Sequence, residues 1–325
     1  MKVWNEILVL KEVSKHFRSG SHLSLKPKRI IRAVDDISFV VREGETFGIV
    51  GESGCGKTTL AKCIVGIYPP TKGKVLFEGK NLWSSSFYNL NAYRDIQLIF
   101  QDQSCLNPRM TLYDIVTEPL EIYGISKKMR PKRFLQLMEL VHLDRAFASK
   151  YPNELSGGEK QRAIIARALV LRPKLAIADE PVSKLDVSIQ AHILNLIKEL
   201  KQAFSMTLIY ISHDLATVEY LCESVAVMYL GQIVELGSKA RALFRNPYHP
   251  YTRALVSAVP SQRLLAKKII LRGSPPDPAN VPQGCRFHTR CPYAQELCKD
   301  KEPPLQERKS RLVRCHFEAR ELYGS

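Results

Sequence analysis

A glycine-rich stretch, Gly51–Thr59, constrains the fold of this chain more than any other feature. Its sequence is GESGCGKTT, the apolar run Thr46–Val50 precedes it, and Leu60–Val65 follows it. The run is typical of a buried strand, and the residues that follow are typical of a helix. A strand, a glycine-rich loop, Lys-Thr and a helix in this order form the P-loop that binds phosphate, whereas an ordinary glycine turn requires neither the spacing nor the Lys-Thr pair. The stretch therefore predicts a nucleotide-binding loop.

Each residue type in this loop has a physical reason to be there. Glycines let backbone N–H groups turn towards phosphate oxygens because no Cβ is in the way, and the N-terminus of the following helix favours negative charge. We expect Lys57 to place a positive charge at the transferred phosphoryl group and the Thr58 hydroxyl to bind Mg²⁺. The loop residues predicted to contact ATP are Gly51, Ser53, Gly54, Cys55, Gly56, Lys57, Thr58 and Thr59.

Composition sets wide limits on the other possibilities. The chain has 325 residues, of which 45% are hydrophobic and 25% charged, values typical of a soluble globular protein with a large core. No apolar run reaches the roughly eighteen residues that cross a bilayer, and the first residues do not resemble a signal peptide, which predicts a cytoplasmic protein. The net charge of +16 favours an anionic neighbour, which could be nucleic acid, a lipid surface or a nucleotide.

Apolar runs that alternate with helical patterns predict the fold class. Besides the strand before the P-loop, strands are predicted at Ile7–Leu10, Ala33–Val41, Gly73–Gly79, Ile96–Phe100, Leu175–Ala178, Met206–Ile211, Ser224–Tyr229 and Gln232–Leu236. Between about residues 102 and 155 the apolar residues recur every three or four positions, which indicates a helical insertion. Strands that alternate with helices form a mostly parallel, doubly wound α/β sheet, whose ligands bind at the carboxyl ends of the strands.

Polar residues follow several of these strands at positions suited to phosphate chemistry. Gln101 and His213 each come after a predicted strand, and Asp179-Glu180 ends another. A carboxylate at a strand end can hold Mg²⁺ through water, and one a residue further on can orient or deprotonate an attacking water. Without a P-loop, Glu180 would be interpreted as a solvated loop acid and His213 as an ordinary strand-end histidine. With it, Glu180 and His213 are predicted to be catalytic, and the family resemblance described next implies the same for Gln101.

Taken together, these motifs resemble the ABC-type ATPase domain. The resemblance covers roughly residues 6–240, and the motifs occur in the order of the family. The matching segments after the P-loop are the Q-loop glutamine Gln101, the signature Leu155–Glu159 with Glu in its fifth place, Walker B with the catalytic glutamate at Leu175–Glu180, the D-loop Ser183–Asp186 and the switch histidine His213. The resemblance implies that Asp179 binds Mg²⁺ and that Gln101 and His213 respond to the γ-phosphate.

The signature implies a second subunit. It precedes a predicted helix, and a capped helix N-terminus with glycines beside it is an anion site. In the family, the signature closes on ATP that is bound to the opposite subunit, and the D-loop, with Asp186, crosses the interface. The signature residues expected to contact that ATP are Ser156, Gly157, Gly158 and Glu159. Val182 and Lys184 stand where the family more often has Thr and Ala, so Lys184 could alter the pairing.

Residues 241–325, the tail, extend the resemblance to a narrower branch of the family. Asn246–Leu255, Gly284–Pro292 and Asn107–Thr111 are similar to motifs of the ATP-binding subunits of oligopeptide and dipeptide importers. A basic insertion before Ala33 is similar to one in the F subunit of such importers. Nickel and glutathione importers share most of these features, so the resemblance implies an importer without fixing its substrate.

Four of the eight cysteines crowd into the tail, and they are Cys285, Cys291, Cys298 and Cys315. Structural disulfides are not expected in a cytoplasmic chain. The spacings of five, six and sixteen residues do not match the paired CxxC knuckles of a zinc ribbon. By ligand count, four thiolates suit a [4Fe–4S] cluster and tetrahedral Zn²⁺ equally, and buried free thiols are the remaining alternative. The resemblance favours a structural [4Fe–4S] cluster.

The resemblance also implies the organisation and the partners of the protein. An ATPase domain is expected at residues 1–240, with its helical subdomain at about 102–155, and a C-terminal extension at 241–325. The expected partners are a second, paralogous ATPase subunit, two transmembrane permease subunits and an extracytoplasmic substrate-binding protein. This complex would place the chain at the cytoplasmic face of the bacterial inner membrane.

Two other functions are compatible with parts of the sequence. A soluble ABC ATPase that acts on nucleic acid or ribosomes would suit the positive charge, but such relatives usually carry two cassettes or long coiled-coil insertions. Nucleic acid is therefore not expected as a partner. A metal-binding regulatory protein that merely binds nucleotide would need neither Glu180 nor His213.

Two side chains near the expected nucleotide have open roles. Phe17, after the first predicted strand, is the candidate to stack on the adenine base, although a core or surface aromatic is nearly as compatible with its position. Cys55 is expected to be neutral to catalysis. A thiol reagent at Cys55 is expected to block ATP hydrolysis, and bound ATP is expected to protect the thiol.

Overall fold

Buried apolar runs form five strands of this protein, at Thr46–Val50, Leu175–Asp179, Thr207–Ser212, Ser224–Tyr229 and Gln232–Gly237, whereas other strands are partly exposed. The computed structural model describes residues 5–19, 29–84, 90–259, 269–271 and 273–323. Most of the basic insertion predicted before Ala33, and the first four residues, lie outside these ranges. Within them, no helix is long and apolar enough to cross a membrane.

The predicted strands are all present, most with bounds within four residues of the prediction, but the first strand continues to Ser19, nine residues beyond its predicted end at Leu10. The strands are β1 Glu6–Ser19, β2 Arg29–Arg42, β3 Thr46–Val50, β4 Lys72–Phe77, β5 Lys80–Asn81, β6 Ile96–Ile99, β7 Leu175–Asp179, β8 Thr207–Ser212, β9 Ser224–Tyr229, β10 Gln232–Gly237, β11 Gln306–Arg308 and β12 Arg311–Val313. The helices are α1 Lys57–Ile64, α2 Leu90–Asp95, α3 Leu112–Ile122, α4 Arg130–Leu140, α5 Gly157–Leu169, α6 Val187–Phe204, α7 Leu215–Leu221, α8 Ala240–Arg245, α9 Pro250–Ser257, α10 Glu296–Asp300 and α11 Ala319–Tyr323.

The chain forms two units that interleave along the sequence. The first unit, which we name the helical unit, comprises the described parts of Met1–Asn5, Arg42–Gly44 and Ser85–Tyr210. The second unit, which we name the P-loop unit, comprises the described parts of Glu6–Val41, Glu45–Ser84 and Ile211–Ser325. The tail belongs to the same unit as the P-loop, so no unit boundary falls near residue 240. The division into an ATPase domain and an extension stays a prediction.

In the P-loop unit, the strand that leads into the P-loop is buried throughout. β3 is parallel to β9, with Phe47 opposite Ser224, and all five of its residues are buried, as a strand covered on both faces requires. β10 is antiparallel to β9, and β12 is antiparallel to β10, which gives the order β11-β12-β10-β9-β3. A second, four-stranded sheet has the order β2-β1-β4-β5. Because β11 and β12 belong to the tail, the tail continues the sheet that carries the P-loop.

In the helical unit, β6 is parallel to β7, with Ile96 opposite Leu175, and β8 lies next to β7. The predicted helical insertion is confirmed, since α3 and α4 lie within it. α3 begins with a capping box, in which Thr111 Oγ1 accepts a hydrogen bond from the Asp114 N–H at 3.2 Å. It packs against α4 and α5. The predicted α/β class is confirmed, with parallel strands in both units. Antiparallel pairs are not confined to the tail, since β1 with β4, β4 with β5 and β9 with β10 are also antiparallel, so the expectation of a mostly parallel sheet holds only for part of the structure.

Candidate nucleotide-binding and hydrolysis site

The P-loop connects β3 to α1, and its glycines adopt conformations that other residues avoid. Gly56, directly before α1, has a φ of 108°, and a Cβ on it would lie 2.0 Å from the Ala33 carbonyl oxygen. Gly51 has a φ of 156°, and a Cβ there would lie 2.3 Å from the Met228 carbonyl oxygen. Contacts this short with backbone atoms exclude a side chain at either position. The glycines at positions 51 and 56 are therefore required by the shape of the loop itself.

Lys57 is buried and is held by its own loop. Its Nζ donates hydrogen bonds to the carbonyl oxygens of Gly51 at 2.8 Å and Glu52 at 3.1 Å. Ser53, Gly54 and Thr58 are exposed, and Thr59 is partly buried. A buried ammonium group, an exposed hydroxyl and the start of α1 form a set that fits a nucleotide phosphate, with Mg²⁺ supplying further positive charge when it is bound. The contacts of these residues with ATP and of Thr58 with Mg²⁺ stay predictions.

Cys55 lies inside the P-loop with little access to solvent. Its side chain is 6% exposed, and Sγ lies 3.9 Å from Lys57 Nζ. Burial raises the pKa of the Cys55 thiol, and the nearby positive charge of Lys57 only partly offsets this effect. Because the thiolate is the reactive form, reaction with a thiol reagent is expected to be slow unless the loop opens.

In the helical unit, Gln101 and Glu180 are in direct contact. Gln101 Nε2 donates a hydrogen bond to Glu180 Oε2 at 3.0 Å and a longer one to Ser183 Oγ at 3.4 Å. Glu180 directly follows β7 and has a φ of 46°, a left-handed conformation that is strained for a non-glycine residue by about 1–3 kcal/mol. Asp179, the last residue of β7, is 4% exposed. A carboxylate oriented by an amide donor is suited to accept a proton from water, and the catalytic roles of this pair and the Mg²⁺ contact of Asp179 stay predictions.

Besides the hydrogen bonds of Ser183 with Gln101 and with the Glu180 carbonyl oxygen, an exposed ion pair holds the D-loop. Lys184 Nζ lies 3.2 Å from Asp102 Oδ1, and both side chains are more than half exposed. Hydrogen bonds from Ser104, and then from Lys184, lower the pKa of Asp102 to about 2. Asp186 is exposed and precedes α6 without a hydrogen bond from its side chain to the helix. Its contact with a second subunit stays a prediction.

The signature forms the start of α5, as predicted from Ser156. The Glu159 N–H donates to Ser156 Oγ at 3.4 Å, and the Ser156 N–H donates to Glu159 Oε2 at 2.7 Å. This backbone hydrogen bond from Ser156 is the main cause of a lowered Glu159 pKa. Gln103 Nε2 donates to the carbonyl oxygen of Gly157 at 2.9 Å, and Gly158 is buried. Because Glu completes a capping box as well as Gln does, the unusual fifth residue of the signature keeps the helix start intact.

His213 and Phe17 both belong to the P-loop unit. His213 is exposed at the end of β8, and Asp214 after it caps α7. The Phe17 ring lies edge-on to Tyr68 at 5.3 Å between centroids, and Lys15 Nζ lies 5.1 Å from its centre. These contacts give Phe17 a packing role in β1. Its stacking on adenine, and the contact of His213 with the γ-phosphate, stay predictions.

The four tail cysteines are neighbours. The Cys285 N–H donates to the Cys298 carbonyl oxygen at 2.8 Å. Burial, together with the charges of the other tail thiols, raises the pKa of Cys285 to about 11 and that of Cys291 to about 12. Across the described parts of the chain, no group of three or more Cys, His, Asp or Glu side chains is arranged to hold a metal ion. The donor set suits a thiolate-bound metal, and the side-chain arrangement does not by itself define one.

Sequence reasoning missed the tail side chains that contact the P-loop. Arg290 donates to both carboxylate oxygens of Glu52, at 2.7 and 3.0 Å. Tyr251 Oη accepts a hydrogen bond from the Glu52 N–H at 2.8 Å. Arg286 donates to Asp35 on β2. Arg290 and Glu52 are 238 residues apart, so no local pattern pairs them. An acid inside an anion-binding loop was the available signal, because it requires a compensating cation.

Comparison with known proteins decides the family. Residues 34–183 match the sequence model of the ABC transporter family, and residues 234–298 match that of the oligopeptide/dipeptide transporter C-terminal region. The oligopeptide transport ATP-binding protein AppF of Bacillus subtilis (strain 168) is 46% identical over 96% of this chain and 97% of its own length. This chain belongs to the oligopeptide-transport branch of the ABC ATPases. It is accordingly an enzyme that binds and hydrolyses ATP.

Other relatives and solved structures agree with this membership. The probable peptide ABC transporter ATP-binding protein y4tS of Sinorhizobium fredii is 46% identical over 96% of the ATPase described above and 90% of its own chain. The solved dimer of the ATP-binding cassette MJ0796, bound to ADP and Pi, is 31% identical, with a TM-score of 0.61, over 70% of this ATPase and 96% of that chain. CbiO1 of Clostridium perfringens is 27% identical, with a TM-score of 0.63, over 74% of this ATPase and 92% of its own chain.

Proposed function

We propose that this ATPase energises the import of peptides by a membrane complex. The observation that carries the proposal is that likeness to a peptide-transport ATP-binding protein extends over 96% of the chain and includes the C-terminal region at residues 234–298. A likeness confined to the ATPase core would not separate peptide import from other uses of the fold. ATP can drive such a complex if it binds the closed arrangement of the subunits more tightly than the open one.

A groove on the helical unit is the proposed contact with the permease subunits. Its volume is about 430 Å³, and it is lined by Met110, Asp114, Thr117, Glu118, Glu121 and Ile122. The side chain of Ile122 is 65% exposed. A short permease helix with one apolar and one basic residue would complement these side chains. Two permease subunits and an extracytoplasmic binding protein complete the proposed complex, which places the ATPase at the cytoplasmic face of the inner membrane.

The signature supports a working dimer. Ser156 and Gly157 are exposed at the N-terminus of α5, where the first N–H groups and the helix dipole favour an anion. We expect this surface to close on ATP that is bound by a second, paralogous ATPase subunit. The MJ0796 cassette forms a dimer in its solved structure. A heterodimer with a paralogue is the proposed working unit.

The tail cysteines are proposed to hold a structural [4Fe–4S] cluster, with Zn²⁺ as the alternative. Support comes from the closeness of the tail thiols: burial, and to a lesser degree the neighbouring thiols, raise the pKa values of Cys285 and Cys291, and a bound cation would stabilise their thiolate forms. Iron, sulfide and zinc analysis of protein purified without oxygen tests this proposal. We expect iron and sulfide to be bound in the wild type and lost in Cys298→Ser. Wild-type protein that contains neither iron nor zinc would contradict it.

The complete complex in vesicles provides the test of the transport function. We expect ATP hydrolysis to increase when the binding protein carries a peptide, and no increase when the permease subunits are omitted. Stimulation by nickel or glutathione instead of peptide would move the assignment to the importers of those substrates. Stimulation by ribosomes or nucleic acid without permease subunits would favour the soluble alternative.

A further inference from the structure

Among the described residues, the tail forms hydrogen bonds with the P-loop at Glu52. Glu52, the second residue of the loop, accepts two nearly parallel hydrogen bonds from the Arg290 guanidinium, from Nη1 at 2.7 Å and from Nη2 at 3.0 Å. Bidentate pairs of this kind fix geometry better than single hydrogen bonds do. The Glu52 N–H also donates to Tyr251 Oη at 2.8 Å. Side chain and backbone of one loop residue are thus both bound by the tail.

The tail holds Arg290 rigidly in front of the loop. Its side chain is 6% exposed, and its guanidinium lies 5.8 Å from the centre of the Tyr229 ring. Phe287, in the same turn-rich segment, is 1% exposed and lies edge-on to Tyr229 at 5.1 Å and to Tyr251 at 5.4 Å. These packed rings fix the segment that carries Arg290, so its orientation towards Glu52 is set before a nucleotide arrives.

The negative charge of Glu52 is unfavourable in a loop that binds the negatively charged triphosphate of ATP. Its side chain is 28% exposed, so an uncompensated carboxylate there would repel the triphosphate through a medium that screens poorly compared with water. The Glu52 carbonyl oxygen also accepts a hydrogen bond from Lys57 Nζ at 3.1 Å. A change in the position of Glu52 would therefore reach the lysine that is expected to bind the phosphates.

We propose that Arg290 is a positioning residue of the ATP site, which holds Glu52 and cancels its charge so that the tail sets the affinity of the P-loop for nucleotide. This role goes beyond anchoring the tail. An anchor would have no effect on nucleotide affinity once the protein is folded. If Arg290 neutralises Glu52, loss of Arg290 weakens ATP binding. This loss has no such effect when Glu52 is replaced by an uncharged residue.

Arg314 provides a matched control. It is also a buried arginine of the tail, with a side chain that is 8% exposed. It donates to the Ile233 carbonyl oxygen at 3.1 Å and pairs with Asp36 at 3.8 Å and Glu302 at 3.5 Å. The contacts with Ile233 and Asp36 tie the tail to other parts of the P-loop unit, outside the P-loop. Arg314→Ala should therefore loosen the tail without changing the charge at Glu52.

The experiment measures the affinity of the full-length chain for a fluorescent ATP analogue in Arg290→Ala, Glu52→Gln, the double variant and Arg314→Ala. We expect Arg290→Ala to weaken binding about tenfold, as an uncompensated charge close to the phosphates would. Glu52→Gln should bind as tightly as the wild type or more tightly, and the double variant should recover most of the loss. At about 0.5 M salt the difference between Arg290→Ala and wild type should shrink, because screening weakens an electrostatic effect.

Three results would overturn the proposal. They are binding by Arg290→Ala within twofold of wild type, a double variant as weak as Arg290→Ala, and an equal loss in Arg314→Ala. Thermal unfolding without nucleotide identifies a variant that fails to fold. In that case Arg290→Lys, which keeps the charge but not the fork of two hydrogen bonds, should bind ATP within about threefold of wild type, and a tenfold loss in a folded Arg290→Lys would count against charge cancellation.

Discussion

The P-loop and the Gln101–Glu180 pair are held in different ways. The P-loop is fixed by buried groups, among them Arg290, which lies 238 residues away in sequence. The Gln101–Glu180 pair is joined by a hydrogen bond between partly buried side chains. The D-loop beside it is held by a longer hydrogen bond from Gln101 to Ser183 and by an exposed ion pair. A loop whose shape is fixed by buried contacts needs little reorganisation when it binds phosphate. The hydrogen bond between Gln101 and Glu180 can be replaced by others, so these side chains can change partners during a reaction cycle. Substitutions in the first region should therefore act on binding, and those in the second on turnover.

The largest expected effect comes from a substitution in the second region, at the Gln101–Glu180 pair. Glu180→Gln keeps an oxygen that can accept the Gln101 hydrogen bond but removes the basic carboxylate. We expect the rate of ATP hydrolysis at saturating ATP to fall by about 10²–10⁴-fold, as for loss of a general base, while ATP affinity changes little. Phosphate release and ATP binding, both measured in the assembled complex, check this expectation. A rate within tenfold of wild type would assign the base to another group.

The next effect concerns the shape of the P-loop. Gly51→Ala would bring a Cβ within 2.3 Å of the Met228 carbonyl oxygen, so we expect the free energy of unfolding to fall by about 3 kcal/mol. Gly54→Ala is the matched control, because Gly54 has a φ of 80° and a Cβ added there would meet no atom within 4 Å, so strain alone should cost about 1 kcal/mol. Urea unfolding of both variants measures the difference. Equal losses of stability in the two variants would show that the backbone near Met228 shifts at little cost to relieve the contact.

A third effect tests how well the P-loop shields the Cys55 side chain from solvent. We expect a maleimide to label Cys55 about tenfold more slowly than the partly exposed Cys105, because the Cys55 side chain is buried; burial raises the thiol pKa of both residues, so access makes the difference. The rate should increase with pH as the thiolate fraction increases. Peptide mass spectrometry after timed labelling gives both rates in one sample. Rapid labelling of Cys55 with full ATPase activity would contradict both the burial and the expected block of hydrolysis.

The smallest expected effect lies in the D-loop. Lys184→Ala removes the exposed ion pair with Asp102, and exposed pairs contribute little because solvent screens them. We expect ATP hydrolysis by the complex to change by less than about twofold, and Asp102→Asn to behave in the same way. A loss above tenfold in Lys184→Ala, without a similar loss in Asp102→Asn, would indicate that Lys184 contacts a partner subunit.

Local spacing was sufficient to predict much of the site. The P-loop, the helical insertion and the capped start of α5 at Ser156 depend on residues within a few positions of one another, where strand and helix periods and capping preferences act directly. The sequence could predict only that Gln101 and Glu180 follow strands of the same sheet. Their hydrogen bond depends on the exact rotamers of two side chains that lie beyond the ends of the neighbouring strands β6 and β7. The sequence predicts which groups meet at a strand end more securely than it predicts which atoms bond.

The attachment of the tail to the P-loop could not be predicted for a different reason. Arg290 precedes Cys291, so the pattern of cysteines dominated the interpretation of that segment. Its contact with Glu52 depends on how β12 joins β10 and on how Phe287 packs, which are tertiary features without a local period. Long-range ion pairs of this kind become visible only when the three-dimensional arrangement is known.

The distance along the chain between Glu52 and Arg290 has a consequence for biosynthesis. At roughly 5–20 residues per second, a ribosome needs roughly ten to fifty seconds to make the 238 residues between them. During that interval the nascent chain carries a phosphate-binding loop with an uncompensated acid. The last part of the protein to be translated thus completes one of the first parts, and a prematurely terminated chain would compete poorly with the finished enzyme for cellular ATP.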